Sequence, residues 1–297
     1  GEDQKVSGAL VWNHQIKKSF AFSSKAVVLA TGGLGSLFGY TTNPSSATGS
    51  GIAMAAMAGA ECKDLHNVQF HPTAFWRKDG HKLPLISEAV RGAGAVLRNQ
   101  AHQAFMESVH PLKDLAPRDI VSRACMKEIS GQDLPYLLLD CSMISDREWQ
   151  NHFPGILQIC LAEGVDPRKN LVPVVPAAHY SCGGIETDTM GNCGVEGLYV
   201  LGESANTGFH GSNRLASNSL LETVCMSFFL AEELAQKQFE QSEAAAVEVP
   251  VLRSRKIDRE IMVEKMNILR NLMQAHCSVV KTTAGLLEAK AQLQQMK

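Results

Sequence analysis

The sequence has no C-x-x-C pair, no apolar run long enough to span a bilayer and no surplus of either charge, and a secretory leader is not expected. Each absence removes a class of function. Its eight cysteines stand at 62, 125, 141, 160, 182, 193, 225 and 277, with no C-x-x-C spacing; the eleven residues from Cys182 to Cys193 are the shortest gap. Zinc and iron–sulfur centres are therefore not expected, and no metal is assigned. The thiols read as buried and reduced, as in a cytoplasmic protein. The 28 basic and 30 acidic side chains are interspersed and leave a net charge of −2, so nucleic acid and membrane surfaces are not expected partners. A P-loop, a G-x-S-x-G elbow and a His/carboxylate set at metal-ligand spacing are also missing, which leaves triphosphatase and hydrolase chemistry without support. Redox chemistry or binding remains.

With 297 residues and 45% apolar content, the chain can bury a substantial core and has the length of roughly two domains. Residue 1 is Gly, and a β-like pattern starts almost at once at Val6, as in a chain that begins inside a domain. Residues 6–13 and 19–22 read as two strands joined by the polar stretch Asn13 to Lys18. Lys25 to Ala30 reads as a short buried strand running into Thr31-Gly-Gly-Leu-Gly35, where glycines let backbone approach a ligand closely. From Thr48 a helix of small residues follows. Its Gly-rich entry suits either a phosphate or flavin edge, or a close helix–strand contact.

Residues 65–181 alternate short helical patterns with Pro-containing turns and look like a second domain inserted between two parts of the first. Pro117 to Ile129 is a helix with Pro117 at its first turn and apolar positions 120, 121, 124 and 125. Gly197 to Glu203 is a buried strand ending in Gly-Glu. Ser219-Leu-Leu-Glu222 has the capping-box pattern and opens a helix with an apolar face at 221, 224, 228, 231 and 235. Residues 241–252 form an Ala/Glu/Val linker. The tail, 253–297, reads as amphipathic helix with apolar positions at 261, 268, 272 and 279.

Histidines and arginines gather in segments expected to be rigid loops. In Gln69-Phe-His-Pro-Thr73 the proline holds the His71 backbone extended, so its ring is aimed and can donate to a carboxylate. Ser87-Glu-Ala-Val-Arg-Gly92 brings hydroxyl, carboxylate and guanidinium within about one turn. Ser87 suits a carboxylate; Glu88 and Arg91 suit an ion pair or proton path, or merely a solvated helical face with one salt bridge. Arg118 stands at a helix start, where the dipole disfavours a cation by a few tenths of a kcal/mol. Either Asp119 compensates locally or Arg118 points into a site. His179 and Arg214 fall in glycine-bounded loops, and an arginine fork suits a bidentate grip on a carboxylate. These residues describe a site for a small anion without naming it.

Over about residues 6–237 the ordered set of motifs resembles the flavoprotein superfamily of fumarate reductases, succinate dehydrogenases and aspartate oxidases. The motifs are Ala30-Thr-Gly-Gly33, Gln69 to Thr73, Glu88 with Arg91-Gly92, Pro117-Arg-Asp119, His179-Tyr180 with Gly183-Gly184, Gly202-Glu203 and His210 through Leu220. The wording is most similar to the aspartate oxidase branch, notably Val175 to Gly184, Leu115 to Arg123 and Thr207 to Glu222.

That resemblance implies an α/β fold: a partial FAD-binding Rossmann-like domain with an inserted α+β capping domain and a C-terminal helical segment. The implied boundaries are 1–68 and 182–240 for the two parts of the FAD domain, 69–181 for the substrate cap and 253–297 for the helical fragment. It implies FAD as cofactor, contacted by Thr31, Gly32, Gly33, Ser50, Glu203, Ser219 and Leu220. His71, Ser87 (where threonine is usual), His179 and Arg214 would bind the two carboxylates of L-aspartate. Arg118 would handle the proton at the reacting carbon, with Glu88 and Arg91 behind it. The implied reaction is oxidation of L-aspartate to iminoaspartate, with oxygen (giving hydrogen peroxide) or fumarate as acceptor. This would feed quinolinate and NAD synthesis beside a possible partner, quinolinate synthase. A fumarate reductase or succinate dehydrogenase flavoprotein and an inactive remnant are the alternatives. The sequence departs from the branch in lacking a G-x-G-x-x-G turn before Val6, in ending within the helical domain, in Ser50 for an aspartate and in Ala93 for a glutamate. A chain truncated at both ends is the corresponding expectation.

Overall fold

The structure, a computed structural model, describes residues 5–78, 80–237 and 259–296. The linker expected at 241–252 lies outside the described residues, as do the parts of 182–240 and 253–297 that run into 238–258.

The strands in chain order are β1 (Gly8–Asn13), β2 (Lys18–Ser23), β3 (Val27–Leu29), β4 (Cys62–Lys63), β5 (Val68–Phe75), β6 (Val96–Arg98), β7 (Leu137–Asp140), β8 (Val172–Ser181), β9 (Gly184–Glu186), β10 (Leu198–Val200) and β11 (Ala205–Asn206). The helices are α1 (Ser50–Met57), α2 (Glu88–Gly92), α3 (Arg118–Ser130), α4 (Asp146–His152), α5 (Pro154–Ala162), α6 (Asn218–Gln236), α7 (Arg259–His276) and α8 (Thr283–Gln295). They fall into two compact units. The first comprises Gly1–Leu34, Ala47–Asn67 and Ser181–Glu264; the second comprises Gly35–Ser46, Val68–Tyr180 and Lys265–Lys297.

In the first unit β1 and β2 form an antiparallel hairpin, Gly8 opposite Ser23 and Asn13 opposite Lys18. Its turn is set by Asn13, whose Oδ1 accepts from the backbone N–H groups of Gln15 (2.9 Å) and Ile16 (3.2 Å), an Asx-type closure. β3 pairs in parallel with β10, and β9 lies between β11 and β4. The core joins Ile52, Ile185, Tyr199, Val200, Met226 and Leu230. α1 comes so close to the exit of β3 that a Cβ on Gly51 would stand 1.9 Å from Thr31 Oγ1, which is the close helix–strand contact weighed for this segment.

Three expectations change here. β3 is not fully buried, because Val28 is exposed. α6 starts from Ser217, which is left-handed (φ 67°) and makes no side-chain cap; Ser219 is two residues inside, so the capping box does not form. Glu222, its other half, bonds Thr207 and His210 instead. That anchor sets the helix rotation: Glu222, Met226 and Leu230 are buried, whereas the expected face at 221, 224, 228, 231 and 235 is exposed.

In the second unit a four-stranded sheet runs β5-β8-β7-β6, with β6/β7 and β7/β8 antiparallel. Its core gathers Val90, Leu97, Val121, Leu139, Trp149 and Val174. Pro117 is the N-cap of α3, one residue ahead of the expected first turn, and Val121, Ala124 and Cys125 face inward as the periodicity requires. α4 opens with a capping box from Ser145 and Glu148, and α5 with Pro154. The tail is two helices rather than one. Thr282 caps α8 by accepting from Gly285 N (3.1 Å), and position 279 falls in the break, so a single continuous face cannot form.

All eight cysteines are free. Burial pushes the Cys160 thiol up to about 11 and Cys141 up to about 12, as expected of inert thiols. Cys62 is exposed and Cys225 and Cys277 are half-buried, so the expected burial does not hold for all eight. Among the described residues no helix is long and apolar enough to cross a membrane, and no group of His, Cys, Asp and Glu could hold a metal ion.

Leu139 is fully buried in the sheet of the second unit. Leu139→Ala in the complete protein should lose about 2–5 kcal/mol in denaturant unfolding. A loss below about 1 kcal/mol would contradict the packing described.

Candidate functional site

Two clusters gather the residues singled out in the sequence, one in each unit. In the second unit the site grows from β5, whose residues from Gln69 onward are all buried. Strand alternation puts Gln69, His71 and Thr73 on one face. Thr73 N–H approaches His71 Nδ1 at 3.3 Å, and Thr73 Oγ1 donates to Ile86 O at 2.8 Å. His71 is 1% exposed, and its ring packs edge-on against that of His179, with centroids 5.2 Å apart. His179 stands on β8, and its Nδ1 lies 2.8 Å from Thr42 Oγ1 while Asn43 Nδ2 donates to its carbonyl at 2.9 Å. Both histidines therefore belong to strands and not to loops. The rigidity expected of them comes from the sheet.

Arg118 resolves the question raised at the start of α3. Its Nε donates to Glu88 Oε2 at 2.7 Å and its Nη1 to Gln69 Oε1 at 3.1 Å, with only 11% of its side chain exposed. Asp119 turns outward to Arg123, one helical turn on. Arg118 thus points inward, and Asp119 serves another cation.

The segment around α2 departs from a solvated face. Ser87 is the N-cap and accepts from Ala89 N at 3.3 Å. Glu88 pairs with Arg118 and not with Arg91. Arg91 is 2% exposed; its Nη1 donates to the carbonyl of Asp114, while Nε and Nη2 have no hydrogen-bond partner among the described residues. Burial lowers its pKa, and Glu88, Cys125 and Asp114 oppose that shift. A guanidinium stays charged through such a change, so a cation is held beside the Arg118–Glu88 pair. Asp114 is buried as well, and its Oδ1 accepts from Leu97 N at 2.8 Å. Thr42, Asn43 and Asp114 were missed as site residues. They carry no motif chemistry of their own, and only the fold brings them to His179 and Arg91.

The first unit holds the residues expected at a cofactor. Gly32 takes a left-handed φ of 79°, and a Cβ there would meet nothing within 4 Å, so this backbone turn faces open space. Gly33 is the reverse: a Cβ would stand 2.3 Å from Glu203 Oε1 and 2.4 Å from Ser181 Oγ. Glu203 Oε1 accepts from Ser181 N at 2.8 Å. Burial pushes its carboxyl up, against the pull of Ser181, Arg214 and His210. Thr31 Oγ1 lies 3.1 Å from Ser204 Oγ. Ser50, at the first position of α1, is exposed, as is Leu220 at 72%; Ser219 is half-buried in the first turn of α6. A left-handed Ser217 costs about 1–3 kcal/mol and tends to occur where a ligand is clamped. The open turn at Gly32, the half-buried carboxylate at Glu203 and the uncapped, dipole-positive start of α6 fit the edge of a flavin and its phosphate-bearing chain. Arg214, just ahead of α6, is 7% exposed, and its Nη1 donates to Leu215 O at 3.2 Å.

Residues 1–220 match the FAD binding domain family, and the chain belongs to that family, with FAD as its cofactor. Relatives that match most of the chain in sequence include L-aspartate oxidases. The chain is 40% identical over 297 residues to L-aspartate oxidase 2 of Ralstonia nicotianae, covering 99% of this chain and 54% of that protein. It is 43% identical over 273 residues to L-aspartate oxidase of Agrobacterium fabrum, covering 91% and 50%. Among solved structures, a mutated E. coli quinol fumarate reductase superposes with a TM-score of 0.85 at 29% identity, covering 99% of this chain and 55% of that one. The chain spans about half the length of the curated relatives it matches.

Gly33→Ala in the complete protein should push Glu203 and Ser181 aside and lower the flavin content of the purified protein, read from its visible absorbance. Wild-type flavin content would separate the Gly33–Glu203 contact from the cofactor.

Proposed function

We propose that the complete protein is an L-aspartate oxidase, which oxidises L-aspartate to iminoaspartate with oxygen or fumarate as the final acceptor. The carrying observation is the placement of Arg118, Glu88, Gln69, His71 and His179 on the elements around one sheet, with Arg118 turned away from its helix into the cluster. FAD, when bound, accepts the hydride that leaves C2 of the substrate.

The chain's own residues bind, orient and handle charge. L-aspartate carries two carboxylates, and His71, Ser87, His179 and Arg214 are the donors proposed for them. Ser87 has a hydroxyl hydrogen to give, because its oxygen acts as acceptor to Ala89 N. Arg118 is proposed as the proton-handling group beside the reacting carbon: the C2 hydrogen leaves as hydride, and the proton it handles is the one the ammonium gives up. Arg118 rarely gives one up unaided, and the direct bond to Glu88 supplies a carboxylate to take the charge balance while Arg91 remains a fixed cation. Thr31, Gly32, Gly33, Ser50, Glu203, Ser219 and Leu220 are proposed to contact FAD. Residues 1–68 and 182–240 are proposed as the two parts of the FAD domain, 69–181 as the cap and 253–297 as a helical fragment.

Loss of hydride and of an ammonium proton leaves iminoaspartate, and reoxidation by oxygen yields hydrogen peroxide. Quinolinate and NAD synthesis in the cytoplasm, with quinolinate synthase downstream, is the proposed setting. The fumarate reductase reading draws on the structural likeness to the E. coli enzyme and shares the dicarboxylate donors.

The complete protein should release peroxide when L-aspartate is added. Succinate oxidation without aspartate-dependent peroxide would favour the second reading. Arg118→Ala should abolish turnover and keep FAD bound; retained aspartate oxidation would remove Arg118 from its role. Arg214→Leu should weaken the substrate by about 2 kcal/mol, roughly 30-fold in KM. An unchanged KM would move the carboxylate grip elsewhere.

A further inference from the structure

Thr42 carries no motif chemistry, yet the backbone holds it against His179. Residues 40–43 run beside β8 as a short parallel ladder, with Ala178 N donating to Tyr40 O and Thr42 N to Ala178 O, each at 2.9 Å. Two further main-chain bonds fasten the same segment to the chain at 81–83: Thr41 N donates to His81 O (3.0 Å) and Leu83 N to Thr41 O (2.7 Å). The Thr42 side chain is thus presented to His179 by bonds that its own substitution leaves in place.

The Thr42 hydroxyl proton has one good destination. Thr42 Oγ1 lies 2.8 Å from His179 Nδ1 and 3.4 Å from Ala178 O. That carbonyl already accepts from Thr42 N and, at 2.9 Å, from Thr41 Oγ1, which itself accepts from Asn43 N at 3.0 Å. A carbonyl oxygen has two lone pairs, and the two shorter bonds fill them. The Thr42 proton is left for His179 Nδ1. A ring nitrogen that accepts carries no hydrogen, so the imidazole proton sits on Nε2. His71, whose ring packs against that of His179, has the same assignment from a group that cannot reverse its role: Thr73 N–H approaches its Nδ1 at 3.3 Å.

We propose that Thr42 is a positioning residue: by donating to His179 Nδ1 it places the ring proton on Nε2 and makes His179, like His71, a hydrogen-bond donor of fixed tautomer toward a substrate carboxylate. The inference rests on the reading that His179 binds such a carboxylate. An ionised carboxylate offers only acceptors, so an imidazole whose Nε2 lacks the proton would meet it with a lone pair instead.

The tautomer is read directly from the nitrogen NMR shifts of the complete, FAD-loaded protein labelled with nitrogen-15 histidine, the His179 signals being those lost in His179→Ala. At about pH 8, above the usual histidine range, the wild type should show a protonated Nε2 and a bare Nδ1. Thr42→Val, which removes the hydroxyl, should show a mixture of tautomers, and Thr42→Ser should restore the wild-type signals. Fumarate affinity, read from the shift it causes in the flavin absorbance, should weaken about fivefold in Thr42→Val and return to within about twofold of wild type in Thr42→Ser. In the His179→Ala background Thr42→Val should cost nothing further, because the hydroxyl acts through the ring. A threonine that merely supports its segment would weaken fumarate equally in both backgrounds, and that result would overturn the proposal. So would a wild-type His179 with its proton on Nδ1, or a Thr42→Val protein of unchanged affinity when His179→Ala weakens fumarate. The expected tautomers together with an affinity untouched by His179→Ala would uphold the placement of the proton by Thr42 and sink only the carboxylate reading.

Discussion

A guanidinium at the first turn of a helix works against the helix dipole and has to be satisfied from elsewhere. Arg118 occupies that position in α3, and the second unit is built around its partners. Glu88 reaches it from α2 and Gln69 from β5, so one side chain ties together the helix, the sheet and the short α2 turn. Ser122, one turn further on, donates to Phe70 O at 2.9 Å and fastens the same helix to the same strand. With β5 thus fixed, alternation leaves His71 on the face of Gln69, against His179. The pairing itself contributes little to stability, since Glu88 is 38% exposed at its side chain. Its consequence is direction: it turns a cation inward, toward Glu88 and Gln69, on the strand face that His71 shares.

The first unit follows a related rule with the signs reversed. Its half-buried Glu203 and buried Glu222 carboxylates are each held by named donors, Ser181 N–H for one and Thr207 with His210 for the other. Burying a charge without such partners is costly, so these contacts fix the local backbone as firmly as apolar packing does. The rotation of α6 shows the effect. A polar anchor at Glu222 buries Met226 and Leu230 and leaves Leu221, Val224 and Phe228 exposed, although their spacing alone marks them as a buried face.

Much of the fold was legible because local rules and tertiary packing agree. The hairpin of β1 and β2 and the inward face of α3 lie where pattern and turn chemistry put them, whereas the strand expected over Gly197–Glu203 is only Leu198–Val200, with Gly202 and Glu203 in a short 3-10 turn beyond it. Sequence reasoning failed where a long-range polar contact overrode a local signature. Ser219-x-x-Glu222 carries a capping box on paper, but Glu222 has better partners in Thr207 and His210. His179 sits among residues that read as a glycine-bounded loop, yet it completes β8. Arg91 looked solvent-facing from its spacing to Glu88; its burial depends on Asp114, which the sequence places more than twenty residues away and which no motif marks. The grouping of His71, Arg118 and His179 was readable only through the resemblance of ordered motifs, because periodicity carries no information about which distant residues meet.

The central claim is that these residues serve oxidation of L-aspartate at C2 by bound FAD. Its most direct measurement is anaerobic mixing of the complete protein with L-aspartate carrying either protium or deuterium at C2, following loss of the oxidised flavin's visible absorbance. The account predicts bleaching by both and a slower rate with deuterium. Absence of bleaching by L-aspartate, in a protein whose flavin is readily reduced by succinate, would contradict it.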